Sequence, residues 1–339
     1  MTAALITGLA GIKISKDERA YLSDVKPAGV ILFRRNVTDP SLIARLIEDV
    51  RQAAGGDILI LVDQEGGRVQ RLKPPLARDL PPGAAYARLY GQDPERAKSA
   101  AFLVARLAAE ELRGYGFTMN CAPVLDVPVP GAHDIIGDRA YGSDPAQIIA
   151  LAREVANGYM AGGVVPVIKH IPGHGRATAD SHFDLPVVAT THAVLSKSDF
   201  APFKALSDLP AAMTAHVVFS ALDPAYPAST SAKVTRDIIR GEIGFDGLLM
   251  SDDLSMRALK GPMQIRAEEV IRAGSDVALH CNGDIREMRA AAEGVPELAG
   301  RAKERFAAAI AVTQAILPFD RDSAAGHLAS LMCTKTLTA

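Results

Sequence analysis

Eight short apolar runs, four or five residues each and apolar on both faces, recur along the chain with longer amphipathic stretches between them. They are ALIT near Leu5, GVILF from Gly29, ILILV from Ile58, FTMN near Phe117, VVPVI from Val164, AAMTA from Ala211, GLLM from Gly247 and DVALH from Asp276. Runs without polar alternation read as parallel strands covered on both sides by helices. The stretches between them carry helix signals. Asp39-Pro40, Asp93-Pro94 and Asp144-Pro145 each set an N-cap acid before a proline at the first helical position. Ser15 and Glu18 form a capping-box pattern, Ser196 and Ser231 can cap two further helices, and Gly114, Gly116, Gly162 and Gly163 stand where helices end. Eight β-then-α units in series without an obvious linker predict an α/β fold. The expectation is a single-domain (β/α)8 barrel of the TIM type over residues 1–339, with long βα loops at its C-terminal rim and a helical tail from about 296. A doubly wound open sheet is the alternative, because periodicity does not show closure.

A barrel makes a further expectation available, since its active sites sit where strands end and βα loops begin. Those junctions read LVDQEGGR, PVLDVP, VIKHIPGHG, TAHVV, MSDD and LHCN, so the apolar runs give way to Asp63, Asp126, Lys169-His170, His216, Asp252 and His280. The opposite ends, such as RGEIGFDG and RAGSD, carry turn residues instead. Two of the loops, from Asp63 to about Pro82 and from Lys169 to about Val188, exceed the usual βα length, and long loops in compact domains are usually functional.

Composition narrows the partners. With 37 basic and 39 acidic side chains, net charge −2 and no long basic run, nucleic acid is not expected as a partner. No run approaches the length of a membrane span, and the first apolar run lacks a basic region before it, so it reads as a first strand rather than a signal peptide. Cys121, Cys281 and Cys333 are few, odd in number and far apart, which fits a reducing compartment and a cytoplasmic protein. The absence of tryptophan favours a small pocket that holds one sugar by hydrogen bonds over stacking along a long glycan.

The densest chemistry is KHIPGHGRATADSH, Lys169–His182, which holds three of the eight histidines. Asp180 and His182, two apart, allow a carboxylate to orient an imidazole that gives and takes a proton near neutral pH. Gly173 and Gly175 would let such a loop move. In MSDDLSM, Asp252 directly follows a buried strand. It can be a cap for the next helix, or a carboxylate nucleophile of the kind that suits glycosyl transfer, with Asp253 the better placed of the two for capping. Around the glycine pair of DQEGGRVQR, Asp63 could accept bonds from vicinal sugar hydroxyls or pair with an arginine, and GDRAYG offers Arg139 between turn glycines. Zinc on His170, His174, Asp180 and His182 is a rival reading. Lys169 beside them and the lack of H-E-x-x-H spacing speak against it, so neither metal nor cofactor is expected.

Together VDQEGGRVQR, APVLDV, GDRAYG, KHIPGHG…ADSH, TAHVV and GFDGLLMSDDLSM resemble the bacterial family 3 glycoside hydrolases and, more narrowly, the cytoplasmic β-N-acetylglucosaminidases of the NagZ type. The resemblance covers about Gly29 to Asn282. It implies Asp252 as nucleophile, His182 as acid/base with Asp180 as its dyad partner, and Asp63, Arg71, Arg139, Lys169 and His170 as sugar-binding positions. It further implies retaining hydrolysis of terminal β-linked N-acetylglucosamine (GlcNAc) through a covalent glycosyl-enzyme, by a monomer. The implied substrates are GlcNAc-1,6-anhydro-N-acetylmuramic acid (GlcNAc-anhydroMurNAc) fragments of peptidoglycan recycling, with or without peptide. A family 3 β-glucosidase, a GlcNAc phosphorylase on the same barrel and a muropeptide sensor without turnover stand as alternatives.

Overall fold

The computed structural model describes residues 1–181 and 183–332. Among them eight parallel strands close into a barrel: β1 (Ala3–Gly8), β2 (Pro27–Leu32), β3 (Leu59–Val62), β4 (Met119–Asn120), β5 (Val165–Ile171), β6 (Ala211–Thr214), β7 (Leu248–Asp253) and β8 (Val277–His280). Each strand lies beside its neighbours in sequence, and pairing of β1 with β8, Leu5 opposite Ala278, completes the ring. The open doubly wound sheet is thereby set aside. Strand β4 is the weakest member at two residues, and a bridge from Val124 to Lys169 of β5 continues the ladder beyond it.

Strand alternation sorts the side chains. Leu59 and Leu61, Val165 and Val167, Ala211 and Met213, Leu248 and Met250, and Val277 and Leu279 fill one cluster inside the barrel. The intervening Ile60, Ile168, Ala212, Leu249 and Ala278 pack outward against the helices. Each fully buried aliphatic chain contributes roughly 1.5–3 kcal/mol, so both parities are held in place by burial.

The helices follow their caps. Helix α1 (Lys16–Val25) starts at Ser15 with both halves of the capping box formed. Helices α2 (Pro40–Ala54), α4 (Pro94–Tyr115) and α5 (Pro145–Ala161) start at Asp39, Asp93 and Asp144, whose carboxylates accept two, one and one backbone N–H groups of the first turn, while α3 (Gly83–Tyr90) precedes α4. Gly116, in the left-handed conformation, ends α4. Helices α6 (His192–Lys197) and α7 (Phe200–Ala205) follow β5. Ser196 does not cap: it sits inside α6, whose cap position is Thr191, and its hydroxyl donates to Glu242 instead. Ser231 does accept from the Val234 amide, opening the π-type helix Val234–Glu242. Helices α8 (Met263–Arg272) and α9 (Ile285–Glu293) flank β8. After residue 296 come α10 (Gly300–Val312) and α11 (Arg321–Met332); Leu298, Phe306 and Ala309 join the interior cluster, closing the barrel at the end where the strands begin. Among the described residues no helix is long and apolar enough to cross a membrane.

Candidate active site

Continuing the inward alternation by one step at the C-terminal end brings Asp63 after Leu61, Lys169 after Val167, Asp252 after Met250 and Cys281 after Leu279 into the same space. They line a cavity of about 370 Å³ together with Glu65, Arg71, Arg139 and His170. That volume lies near the lower end of the roughly 300–1,000 Å³ typical of small-molecule sites and suits a single polar ring better than a polymer. Its apolar share comes from Phe33, Ile135, Ile136, Met213 and Met256.

The charged wall is one network. Asp63 accepts from Arg71 at 2.8 Å and from Lys169 at 3.0 Å. Glu65 takes Arg139 on both oxygens at 2.8 Å and Lys169 at 2.6 Å. Burial alone would raise the two carboxyls. Lys169 and Arg71 outweigh it at Asp63, which lies well below the ordinary carboxylate range, and Arg139 and Lys169 bring Glu65 down to about 2. Burial would lower Lys169, but Glu65 and Asp63 hold it above its usual value. All members are therefore charged at neutral pH. Apolar residues of similar volume commonly serve stability as well or better than a buried ionic cluster, so this one points to a polar ligand rather than to stability.

The loop after β3 is built to present this wall. Gln64–Gly66 pairs with Val69–Gln70 as a small hairpin, with Gly66 and Gly67 at positive φ. A Cβ on Gly66 would come within 2.2 Å of the Pro81 carbonyl, so the close approach that requires glycine is to protein backbone, not to a ligand. Arg68, the other arginine of the motif, donates to the carbonyls of Ile135 at 2.9 Å and Ile136 at 3.1 Å and pairs with Asp138 at 3.0 Å, which fixes the segment carrying Arg139.

A second cluster forms under the histidine loop. The Asp126 carboxylate, fully buried, accepts the amides of His170 at 3.2 Å and His174 at 2.6 Å and the His170 Nδ1–H at 2.7 Å. Asp126 thus lies behind His170, outside the cavity lining. His216 and His280, also at strand ends, are buried behind the strands. His216 Nε2 donates to the Asp253 carbonyl at 3.1 Å, and Ser229 bonds its Nδ1 at 2.7 Å. Asp253 accepts the amides of Ser255 and Cys281, each at 3.0 Å. It caps a turn and ties β7 to β8, since α8 starts only at Met263.

Of the residues singled out from sequence, Asp63, Arg71, Arg139, Lys169, His170, His174, Asp252 and Asp253 border the cavity. Asp180 stands on the loop beyond its lining, and His182 lies outside the described residues. At the base of that loop a Cβ on Gly175 would fall 2.0 Å from the Val127 carbonyl, so this glycine allows close packing. His174 contacts Ser181 through Nε2 at 3.2 Å. Among the described residues no three His, Cys, Asp or Glu side chains are gathered as metal ligands. Glu65 and Asp126 are the members that sequence reasoning did not assign.

The His174 ring gives a pH prediction. Burial, reinforced by neighbouring His170, pushes it down from 6.5 to about 4. Between those values the unfolded chain binds more protons than the folded one, so stability falls as pH drops from about 6.5 to about 4, by about 3 kcal/mol in all. Asp126 and Glu65, both held near 2 in the fold, withdraw their contribution only below about 4. Urea unfolding across this range should show the upper limb in the wild type and a shallower one in His174→Gln. It stays visible there because burial also lowers His216. An unchanged limb in the variant would mean that the fold does not hold His174 neutral.

Comparison with known proteins agrees with this geometry. The family model described as the glycosyl hydrolase family 3 N-terminal domain matches residues 3–313. A β-hexosaminidase of Alkalilimnicola ehrlichii is 39% identical over 282 residues, covering 82% of this chain and 80% of the relative. NagZ from Neisseria gonorrhoeae, solved with N-trifluoroacetyl-D-glucosamine, superposes with a TM-score of 0.87 at 30% identity over 98% of both chains. A family 3 β-N-acetylglucosaminidase from Paenibacillus sp. superposes with a TM-score of 0.79 at 31% identity; 97% of this chain is covered, and it spans 60% of that longer protein. The matched span takes in every barrel strand and every cavity residue described above, and the chain belongs to glycosyl hydrolase family 3.

Proposed function

We propose that the chain is a retaining β-N-acetylhexosaminidase that removes terminal non-reducing GlcNAc from GlcNAc-anhydroMurNAc muropeptides, in the cytoplasm, during peptidoglycan recycling. The observation that carries the reading is Asp252: its side chain ends the inward face of β7 in a small cavity whose other wall is a fixed set of hydrogen-bonding charges. Such a wall, made of Asp63, Arg71, Arg139, Lys169 and His170, suits the hydroxyls and acyl oxygen of one sugar. The N-acylglucosamine bound by the gonococcal relative and the names of the other relatives support that choice of sugar.

In the reaction Asp252 attacks the anomeric carbon as the glycosidic bond breaks, forming a glycosyl ester. His182, oriented by Asp180, gives its proton to the leaving oxygen. His182 then takes a proton from water, which attacks the same carbon and releases Asp252, so configuration is retained. The muropeptide aglycone and the compartment rest on the resemblance to the cytoplasmic enzymes.

The test is trapping. Incubation with a 5-fluoro N-acetylglucosaminyl fluoride should add one sugar to Asp252 by mass spectrometry and peptide mapping. Early product spectra from an aryl N-acetyl-β-glucosaminide should show the β-anomer first. An α-anomer formed first would rule out retention, and turnover without any adduct would point to chemistry that does not use Asp252 as nucleophile.

A further inference from the structure

Glu65 has no part in that reaction, yet it is among the most enclosed side chains of the cavity, 6% exposed, with Lys169 at 3%. We infer that Glu65 is the positioning residue of the sugar site, the anion that holds Arg139 and Lys169 in the geometry in which they meet substrate. The inference rests on the hexosaminidase reading and adds to it a residue that acts through two others.

Three observations carry it. First, the two cations arrive from different elements, Arg139 from the short 3-10 turn Gly137–Arg139 and Lys169 from β5. Each makes the other's charge costlier, and the Glu65 carboxylate is what both bind. Second, the Arg139 contact is two-pronged. Nε and one terminal nitrogen each reach a Glu65 oxygen at 2.8 Å, and the other terminal nitrogen donates to the Ile135 carbonyl at 3.1 Å. A guanidinium gripped on one edge cannot rotate, so the plane it offers a ligand is fixed. Third, Glu65 is itself anchored. Asn120, at the end of β4, clamps the preceding residue by accepting the Gln64 amide at 2.9 Å and donating to its carbonyl at 3.0 Å. The Tyr159 hydroxyl donates to the same carbonyl at 3.2 Å. The carboxylate is thus tied to the barrel wall, as a template requires.

The experiment is a double-mutant cycle on the full chain, with an aryl N-acetyl-β-glucosaminide as substrate and fluoro-sugar trapping to count active sites. Glu65→Gln, nearly the same shape without the charge, turns an amide toward two cations. It should lower kcat/KM per active site about 10²-fold, as small misplacements of binding groups do. In an Arg139→Met background, where the group to be oriented is gone, the same change should cost under about 5-fold; the remainder reflects Lys169, which keeps Asp63 as a partner. Glu65→Asp, with the charge one methylene short, should recover about tenfold over Glu65→Gln, and it carries the same cycle should Glu65→Gln not fold. Equal losses in both backgrounds, or activity per site within about threefold of wild type, would overturn the inference. A wild type that does not cleave the glycoside at all would instead overturn the hexosaminidase reading.

Discussion

Asp252→Asn should lose turnover by on the order of 10⁴-fold while remaining folded, and Asp253→Asn, one residue further along the same strand, should largely keep turnover and instead lose stability. The difference lies in what each carboxylate is already bound to, since both border the cavity and a register shift between Met250 and Asp253 breaks simple alternation there. An asparagine in place of Asp252 keeps an oxygen for the bond that Asp252 Oδ1 accepts from the Asp253 amide at 2.8 Å, but it cannot form the glycosyl ester. The Asp253 carboxylate accepts the Ser255 and Cys281 amides, and its carbonyl is held by His216. Asparagine in that place keeps an acceptor but loses the charge that strengthens both bonds, at a cost of about 1–2 kcal/mol. Measuring kcat alongside urea unfolding for the two variants separates the cases. A dead but stable Asp253→Asn, with Asp252→Asn active, would exchange their roles.

Much of the scaffold could be read from sequence because each signal was local. A parallel strand buried on both faces leaves an apolar run, and an Asp-Pro pair at a helix start records its own cap. Closure of the barrel was not local: it depends on β1 meeting β8 across the whole chain. The same divide runs through the site. Asp63, Lys169 and Asp252 announce themselves as charges at the ends of apolar runs, but alternation does not tell Asp252 from Asp253, because the register shifts between Met250 and Asp253 and both carboxylates border the cavity. Glu65 gives no such signal, being one more acid beside turn glycines until Arg139, 74 positions away, is seen to grip it. Asp126 was visible as a rim charge, but its partners lie 44 and 48 positions on, so nothing local distinguished an anchor from a ligand group. Ser196 failed for the opposite reason. Serine is common at helix starts, and only the path of the chain around Thr191 shows that this one lies inside the helix.

Asp126 yields the other large effect, and it divides according to the substitution. Asp126→Ala removes the acceptor for three buried donors, the His170 and His174 amides and the His170 ring N–H. Orphaning that many groups should cost about 3–5 kcal/mol in urea unfolding and release the strand end that carries His170. Asp126→Asn is the sharper probe. Its amide oxygen can still accept the two backbone N–H groups, so the fold should lose only about 1–2 kcal/mol. Its amide nitrogen, however, faces Nδ1 of His170 and can only donate there. A carboxylate only accepts, so in the native protein Nδ1 bears the proton, and in the neutral ring Nε2 is left as an acceptor. Opposite asparagine the proton must move to Nε2, and His170 then presents a donor where it had offered an acceptor. A sugar hydroxyl oriented for the first arrangement is wrongly oriented for the second, so kcat/KM should fall about 10²-fold or more at nearly native stability. Nitrogen NMR of the imidazole reads the tautomer directly, and kinetics on the same sample read its consequence. Retained activity with the tautomer reversed would show that His170 meets substrate by its surface rather than by a hydrogen bond, and Asp126 would then be an anchor of the loop alone.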